Sequence, residues 1–151
     1  MFIQPVTGYR KVVTPAFRSQ AENPLLKQSD ITRLDSKLVI GRAPGACRYE
    51  NHQYKINSNI LDKDLQFLKS NYNVDTLIDL RAGHIEGNEI TKEANAAKKA
   101  GMTYLNLQMD GAIAPKPDEL KSFFNTIDKA KGNVYLHCHM GHDRTGVMSA
   151  C

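Results

Sequence analysis

Apolar positions along this chain alternate between two periods. From Leu61 to Tyr72, Leu61, Leu65 and Leu68 recur at helical spacing, with Ser58 or Asn59 as the cap, and predict a helix. Val74 to Leu80 is a short, largely apolar run, the pattern of a buried strand, and Arg81 follows it directly. Glu86 to Ala100 predicts a second helix with Ile90, Ala94 and Ala97 inward and Gly101 as its stop. Thr103 to Leu107 predicts a strand. Pro117 to Lys131 predicts the clearest helix, with proline in its first turn, acids early and lysines late; Leu120, Phe123, Phe124 and Ile127 face inward, and Gly132 lies beyond. Asn133 to His137 predicts a strand, as does Leu38-Val39-Ile40, which breaks at Gly41-Arg42-Ala43-Pro44-Gly45. Residues 1–36 show little periodicity and predict an irregular N-terminal arm, leaving residues 37–151 as one domain. Strands alternating with helices predict an α/β fold: a central, mainly parallel sheet flanked by helices, with any site at the carboxyl end of a strand.

Composition narrows the classes. At 151 residues, 41% hydrophobic and 24% charged, the chain can bury one core. Its net charge of +4 suits phosphorylated substrates or anionic lipid headgroups but is too small to argue for nucleic acid. Three cysteines without regular spacing do not make a disulfide framework. The first residues have no charged leader followed by an apolar core, and no apolar run is long enough to span a bilayer. A cytoplasmic location is expected, with signal-less export and peripheral membrane contact as the alternatives.

The candidate chemistry lies in Val134-Tyr135-Leu136-His137-Cys138-His139-Met140-Gly141-His142-Asp143-Arg144-Thr145-Gly146. A strand runs into a cysteine, five residues separate it from an arginine, and Thr-Gly opens a helix. A free thiol is a poor nucleophile at neutral pH unless its charge is stabilised, and inward-facing loop amides at a helix start supply that field. They suit a phosphate equally well. Gly141 permits the tight curl, and the planar fork of Arg144 matches two phosphate oxygens. The loop residues His139, Met140, Gly141, His142 and Asp143 would then line the bound anion. Asp143, a carboxylate beside a dianion, is expected to cap the next helix and turn away. His139 and His142 are either exposed loop residues or added positive charge for a polyanionic substrate.

This motif resembles the signature of the cysteine-dependent protein tyrosine phosphatase superfamily: His-Cys, five residues, Arg-Ser/Thr. Its Asp-Arg-Thr-Gly ending is most similar to bacterial dual-specificity and lipid-acting members. The resemblance implies a phosphomonoester hydrolase working through a phosphocysteine, without cofactor or metal, on phosphotyrosine or phosphoserine proteins, phosphoinositides or inositol phosphates. It implies Cys138 as nucleophile, Arg144 as phosphate ligand, His137 as loop support, and the Thr145 hydroxyl as an aid to thiolate departure. It also implies an upstream general acid. Asp110 fits, with Gly111 as a hinge and Pro115 and Pro117 stiffening the far side; Asp118 and Asp128 are the alternatives.

Other readings stand beside these. His137, Cys138, His139, His142 and Asp143 include zinc-ligand types, but no second ligand cluster accompanies them. Cys47 and Cys151 read as packing residues. Arg81 is a pocket residue or a structural ion pair, and Arg42 and Lys116 are substrate contacts or solvated surface. A competing function is a phosphatase-like module that captures phosphorylated partners without turnover. Residues 145–151 read as barely two turns of a helix, so the sequence is expected to be part of a longer polypeptide.

Overall fold

The computed structural model describes residues 26–45, 48–50, 53–110 and 113–151. Five strands form the main sheet: β1 (Ile31–Arg33), β2 (Leu38–Gly41), β5 (Val74–Asp79), β6 (Thr103–Asn106) and β7 (Asn133–His137), in the order β1-β2-β7-β5-β6. Only the β1–β2 pairing is antiparallel; β2–β7, β7–β5 and β5–β6 are parallel. A separate hairpin joins β3 (Arg48–Glu50) to β4 (Gln53–Lys55). Four helices connect these elements: α1 (Ser58–Tyr72), α2 (Gly83–Lys99), α3 (Pro117–Lys129) and α4 (Asp143–Ser149). The expected α/β architecture is therefore present, with the cysteine loop leaving the carboxyl end of the central strand β7.

Parallel strands covered on both faces produce two apolar clusters. On one face Leu61, Leu65 and Leu68 of α1 and Ala97 of α2 pack with Val39, Leu77 and Tyr135. On the other, Phe123 of α3 and Met148 of α4 pack with Ile78, Leu80, Val134, Leu136 and Cys138. Successive side chains of a strand point to opposite faces, so β7 sends Tyr135 and His137 toward α1 and α2, and Val134, Leu136 and Cys138 toward α3 and α4.

Several boundaries differ from the sequence expectations for local reasons. The cap of α1 is Asn57, whose side chain accepts from the amides of Asn59 and Ile60; Ser58 and Asn59 lie inside the helix. Helix α2 starts at Gly83, three residues before Glu86. Its buried inward positions include Glu89 and Glu93 as well as Ala97, whereas Ile90 and Ala94 are only half-buried. On α3 only Phe123 is fully buried, and Phe124 is 45% exposed, because a helix at the edge of one face covers the sheet with a single row. The part of the predicted arm that is described is not irregular: a 3-10 turn over Gln28–Asp30 leads into edge strand β1. Buried Asp64 of α1 secures this edge by accepting from the amides of Leu26 and Gly45, each at 2.7 Å. Residues 1–25, Cys47 and Gly111 lie outside the described residues.

Candidate active site

The cysteine sits where the strand stops. Its side chain is 3% exposed, closed in by the Leu136 and Met148 face. Burial by itself pushes a thiol up, since it penalises the thiolate. Here the hydroxyl and amide of Thr145, the amide of Gly141 and the Arg144 guanidinium outweigh that penalty, and the Cys138 thiol is held below its usual range. Thr145 Oγ1 is itself buried and meets no other hydrogen-bonding group at bonding geometry among the described residues, and its influence falls on the sulfur.

Loop geometry follows from one backbone contact. Gly141 has φ of +78°, and a Cβ there would collide with the backbone of Gly41 and Arg42. The loop thus rests backbone against backbone on the end of β2, in a conformation that favours glycine. Ala43 N–H donates to the carbonyl of His139 at 3.0 Å, and Tyr135 Oη donates to the carbonyl of Arg42 at 2.8 Å, closing the same seam. Arg144 is half-buried and its Nη1 donates to the Leu80 carbonyl at 3.3 Å. Asp143 is exposed at the first position of α4. The cap is His142, which makes no side-chain capping bond, so the expected capping role of Asp143 is corrected. Gly146 N–H reaches the His142 carbonyl at 2.7 Å, closing the first turn without it.

The remaining loop side chains divide into two sorts. Met140 is 56% exposed and His142 is also exposed, so both face outward at the mouth. His139 is half-buried, and burial together with Arg81, Arg144 and His137 pushes its pKa down to about 4. It is therefore neutral at physiological pH and does not supply the extra positive charge considered for it.

Asp110 is reached through the neighbouring strand end. His137 carbonyl accepts from Leu80 N–H at 2.9 Å, and the Leu80 carbonyl in turn accepts from Met109 N–H at 3.3 Å. Asp110 follows as an exposed residue whose carbonyl accepts from Ile113 N–H in a turn. The Leu80 carbonyl therefore holds both the residue before Asp110 and the guanidinium of Arg144. Asp118 and Asp128 are exposed on α3, where Glu119 accepts from Lys116 N–H at 2.7 Å at the helix start.

Beneath the loop, on the α1/α2 face, lies a buried ionic cluster that periodicity did not expose. Arg81 Nη2 donates to Asp79 Oδ2 at 2.7 Å and to Glu93 Oε2 at 2.5 Å, with all three side chains fully buried. His137 Nε2 stands 2.8 Å from Glu93 Oε1, an ionic contact that falls short of hydrogen-bond geometry. Tyr104 Oη donates to Asp79 Oδ2 at 2.5 Å. Burial works against the imidazolium, but Glu93 and Asp79 raise the pKa of His137 to about 9. Arg81 is thus the structural ion pair of the two readings considered for it. Asp79, Glu93 and His137 carry metal-ligand atoms within 4.8 Å of one another, but the Arg81 guanidinium already stands between the two carboxylates. Arg42 is likewise engaged, lying 3.5 Å from Asp30.

Sheet order, a cysteine at the end of the central strand, and a glycine-bearing loop running into an arginine and a helix define the fold of the cysteine-dependent phosphatases. Within that class, the chain belongs to the polymorphic toxin system DSP-PTPase phosphatase family (Tc-R-P), whose sequence model matches residues 52–151. A curated relative, the tyrosine-protein phosphatase cdc-14 of Caenorhabditis elegans, is 30% identical over 78 residues, which are 52% of this chain and 10% of that protein. The chain thus spans about a tenth of the curated relative it matches. Among solved structures, PTPMT1 in complex with PI(5)P superimposes with a TM-score of 0.59 at 21% identity, covering 80% of this chain and 69% of that one. TpbA of P. aeruginosa, in complex with pTyr, gives 0.56 at 16% identity, covering 83% and 63%. At these identities the two structures speak for the fold.

Proposed function

We propose that this domain hydrolyses phosphomonoesters through a phosphocysteine formed on Cys138. The observation that carries this reading is the buried sulfur of Cys138, whose thiol Thr145, Gly141 and Arg144 hold below its usual range against the penalty of burial. The Cys138 thiolate attacks phosphorus in line, forming the S–P bond as the ester P–O bond breaks. Arg144 and the loop amides hold the equatorial oxygens, and protonated Asp110 gives its proton to the departing oxygen. A water then attacks the phosphocysteine, Asp110 carboxylate takes its proton, and inorganic phosphate leaves as the thiolate is restored; the Thr145 hydroxyl stabilises that departing sulfur. His137 supports the loop, His139 and Gly141 line its floor, and Met140, His142 and Asp143 face what carries the phosphate. No cofactor is needed in this scheme.

The substrate class we favour is phosphotyrosine proteins or phosphoinositides, supported by the ligands of TpbA and PTPMT1. The family description, a phosphatase of a polymorphic toxin system, supports phosphorylated molecules as its targets. No described helix is long and apolar enough to cross a membrane. Residues 37–151 would form the catalytic domain.

The test is release of phosphate from a small aryl phosphate by wild type, Cys138→Ser and Asp110→Ala, followed by a panel of phosphopeptides and phosphoinositides. Cys138→Ser should lose about four orders of magnitude or more, and Asp110→Ala about two to three. Equal rates for wild type and Cys138→Ser would end the assignment. Tight phosphopeptide binding with no turnover by wild type would favour the capture module instead.

A further inference from the structure

Resting on Cys138 as the nucleophile, we propose that Glu93 is a positioning residue of the reaction: it holds His137 as an imidazolium, and His137 in turn holds the Cys138 carbonyl. The geometry requires two ring protons. His137 Nε2 faces the Glu93 carboxylate at 2.8 Å and Nδ1 faces the Cys138 carbonyl at 2.9 Å. A carbonyl has no proton to give, nor has a carboxylate paired with the Arg81 guanidinium, and a neutral imidazole has only one N–H. A neutral ring would set a nitrogen lone pair against an oxygen on one side or the other.

Among the described residues, the charged groups nearest the ring are Glu93, Asp79 and Arg81, with neutral His139 beyond them. Glu93 approaches from α2, Asp79 Oδ1 lies 3.9 Å away on β5, and Arg81 follows β5. Tyr135 packs its ring 5.7 Å away on the same strand, and Tyr104 of β6 acts through Asp79. Two buried carboxylates against one guanidinium leave one negative charge, and the imidazolium cancels it. Glu93 is the carboxylate that stands close to both cations, at 2.5 Å from Arg81 and 2.8 Å from His137, whereas Asp79 pairs closely with Arg81 and stays 3.9 Å from the ring. Because His137 and Cys138 point to opposite faces of the sheet, α2 reaches the sulfur through this single carbonyl and not across the cavity.

The direct measurement is the nitrogen NMR spectrum of the His137 ring in the wild-type protein at pH 7.5. A doubly protonated ring is expected, and a neutral ring would overturn the proposal without any variant being made. Glu93→Gln keeps the size and one acceptor oxygen while removing the charge. In it the His137 pKa should fall by about two units or more. The kcat for an aryl phosphate should drop with KM nearly unchanged, and the alkaline limb of its pH profile should move into the neutral range. Alkylation of Cys138 by iodoacetamide should change in parallel. A residue of merely structural importance would lower the melting temperature and leave that limb and the thiol reactivity where they are, which would refute the assignment. In a His137→Asn background, Glu93→Gln should add no further loss; a further loss as large as that in wild type would place its action on Arg81 instead. Ring protonation and alkylation do not depend on turnover. If they respond to Glu93 while no phosphoester is hydrolysed, the substrate reading fails and the role of Glu93 stands.

Discussion

At the carboxyl end of β7 two differently built environments meet across one peptide unit. On the α3/α4 face Cys138 is enclosed by Leu136, Leu80 and Met148, and the polar groups that hold its pKa down are few and local: Thr145, Gly141 and Arg144. On the α1/α2 face His137 belongs to a cluster in which Asp79, Arg81 and Glu93 are all fully buried. The dry side makes each donor to the sulfur count for more, because little solvent competes with it. The ionic side does not act on the sulfur directly; it fixes the backbone from which the sulfur hangs. Separating the two tasks lets a thiol of lowered pKa hang from a backbone that a buried ionic cluster holds in place.

The comparison can be broken most sharply by removing the charge that joins the ionic side. Arg81→Met leaves Asp79 and Glu93 buried with His137 as their only cation, and should destabilise the domain by about 3–5 kcal/mol. Met148→Ala, on the dry side, should cost about 2–4 kcal/mol through a cavity. Urea unfolding at several pH values separates the mechanisms. The Arg81 penalty should shrink in acid as the stranded carboxylates protonate, and the Met148 penalty should not move. Equal pH dependence would mean that the two faces are not distinct.

A smaller effect is expected at the sulfur. Thr145→Val keeps the shape and removes the hydroxyl, so the Cys138 pKa should rise by about one unit, equivalent to about 1.4 kcal/mol. The pH dependence of alkylation reads this directly, and an unchanged profile would leave the amides and Arg144 as the whole of the thiolate's support.

The most gradual effect is the pH dependence of wild-type stability, which is spread over several pH units. The His137 pKa is raised to about 9, so its contribution is whole below the unfolded value near 6.5 and is lost as pH climbs through 9. His139 is lowered to about 4, so its contribution is present above about 6.5 and is lost as pH falls toward 4. Asp79, also lowered, acts in the same direction on the acid side: burial resists its ionisation, but His137 and Arg81 outweigh it. Stability should therefore peak near neutrality and fall on both sides, by no more than about 1.4 kcal/mol per pH unit for each group. Denaturation midpoints that keep rising above pH 7 would contradict the charged state of His137.

What could be read from the chain was what lies close together along it. Cys138, Gly141, Arg144 and Thr145 fall within eight residues, and their spacing carries the loop without tertiary knowledge. The strand–helix alternation and the inward row of α1 were equally local. The ionic cluster was not, because it joins β5, α2, β6 and β7. Two signals for it were nonetheless present. Asp79 and Arg81 interrupt an apolar strand run, and Glu93 stands three residues after Ile90 and four before Ala97, on the very stripe expected to face inward. A charge on an apolar stripe asks for a buried partner, and here it has two. The cap of α4 was misassigned because Asp is a common cap residue, yet the loop's tight path delivers His142 to that position instead.

The contact between Gly141 and Gly41 has a consequence for how such a domain diversifies. Two residues without side chains set the height of the anion floor against the sheet, and neither contributes to the mouth above it. Positions 140 and 142, whose side chains point outward, can then drift freely in size, charge and shape while the floor keeps its depth and aim. For the proposed hydrolysis, a lineage under pressure to change its targets would then alter two exposed side chains and leave the course of the loop from Cys138 to Arg144 as it is.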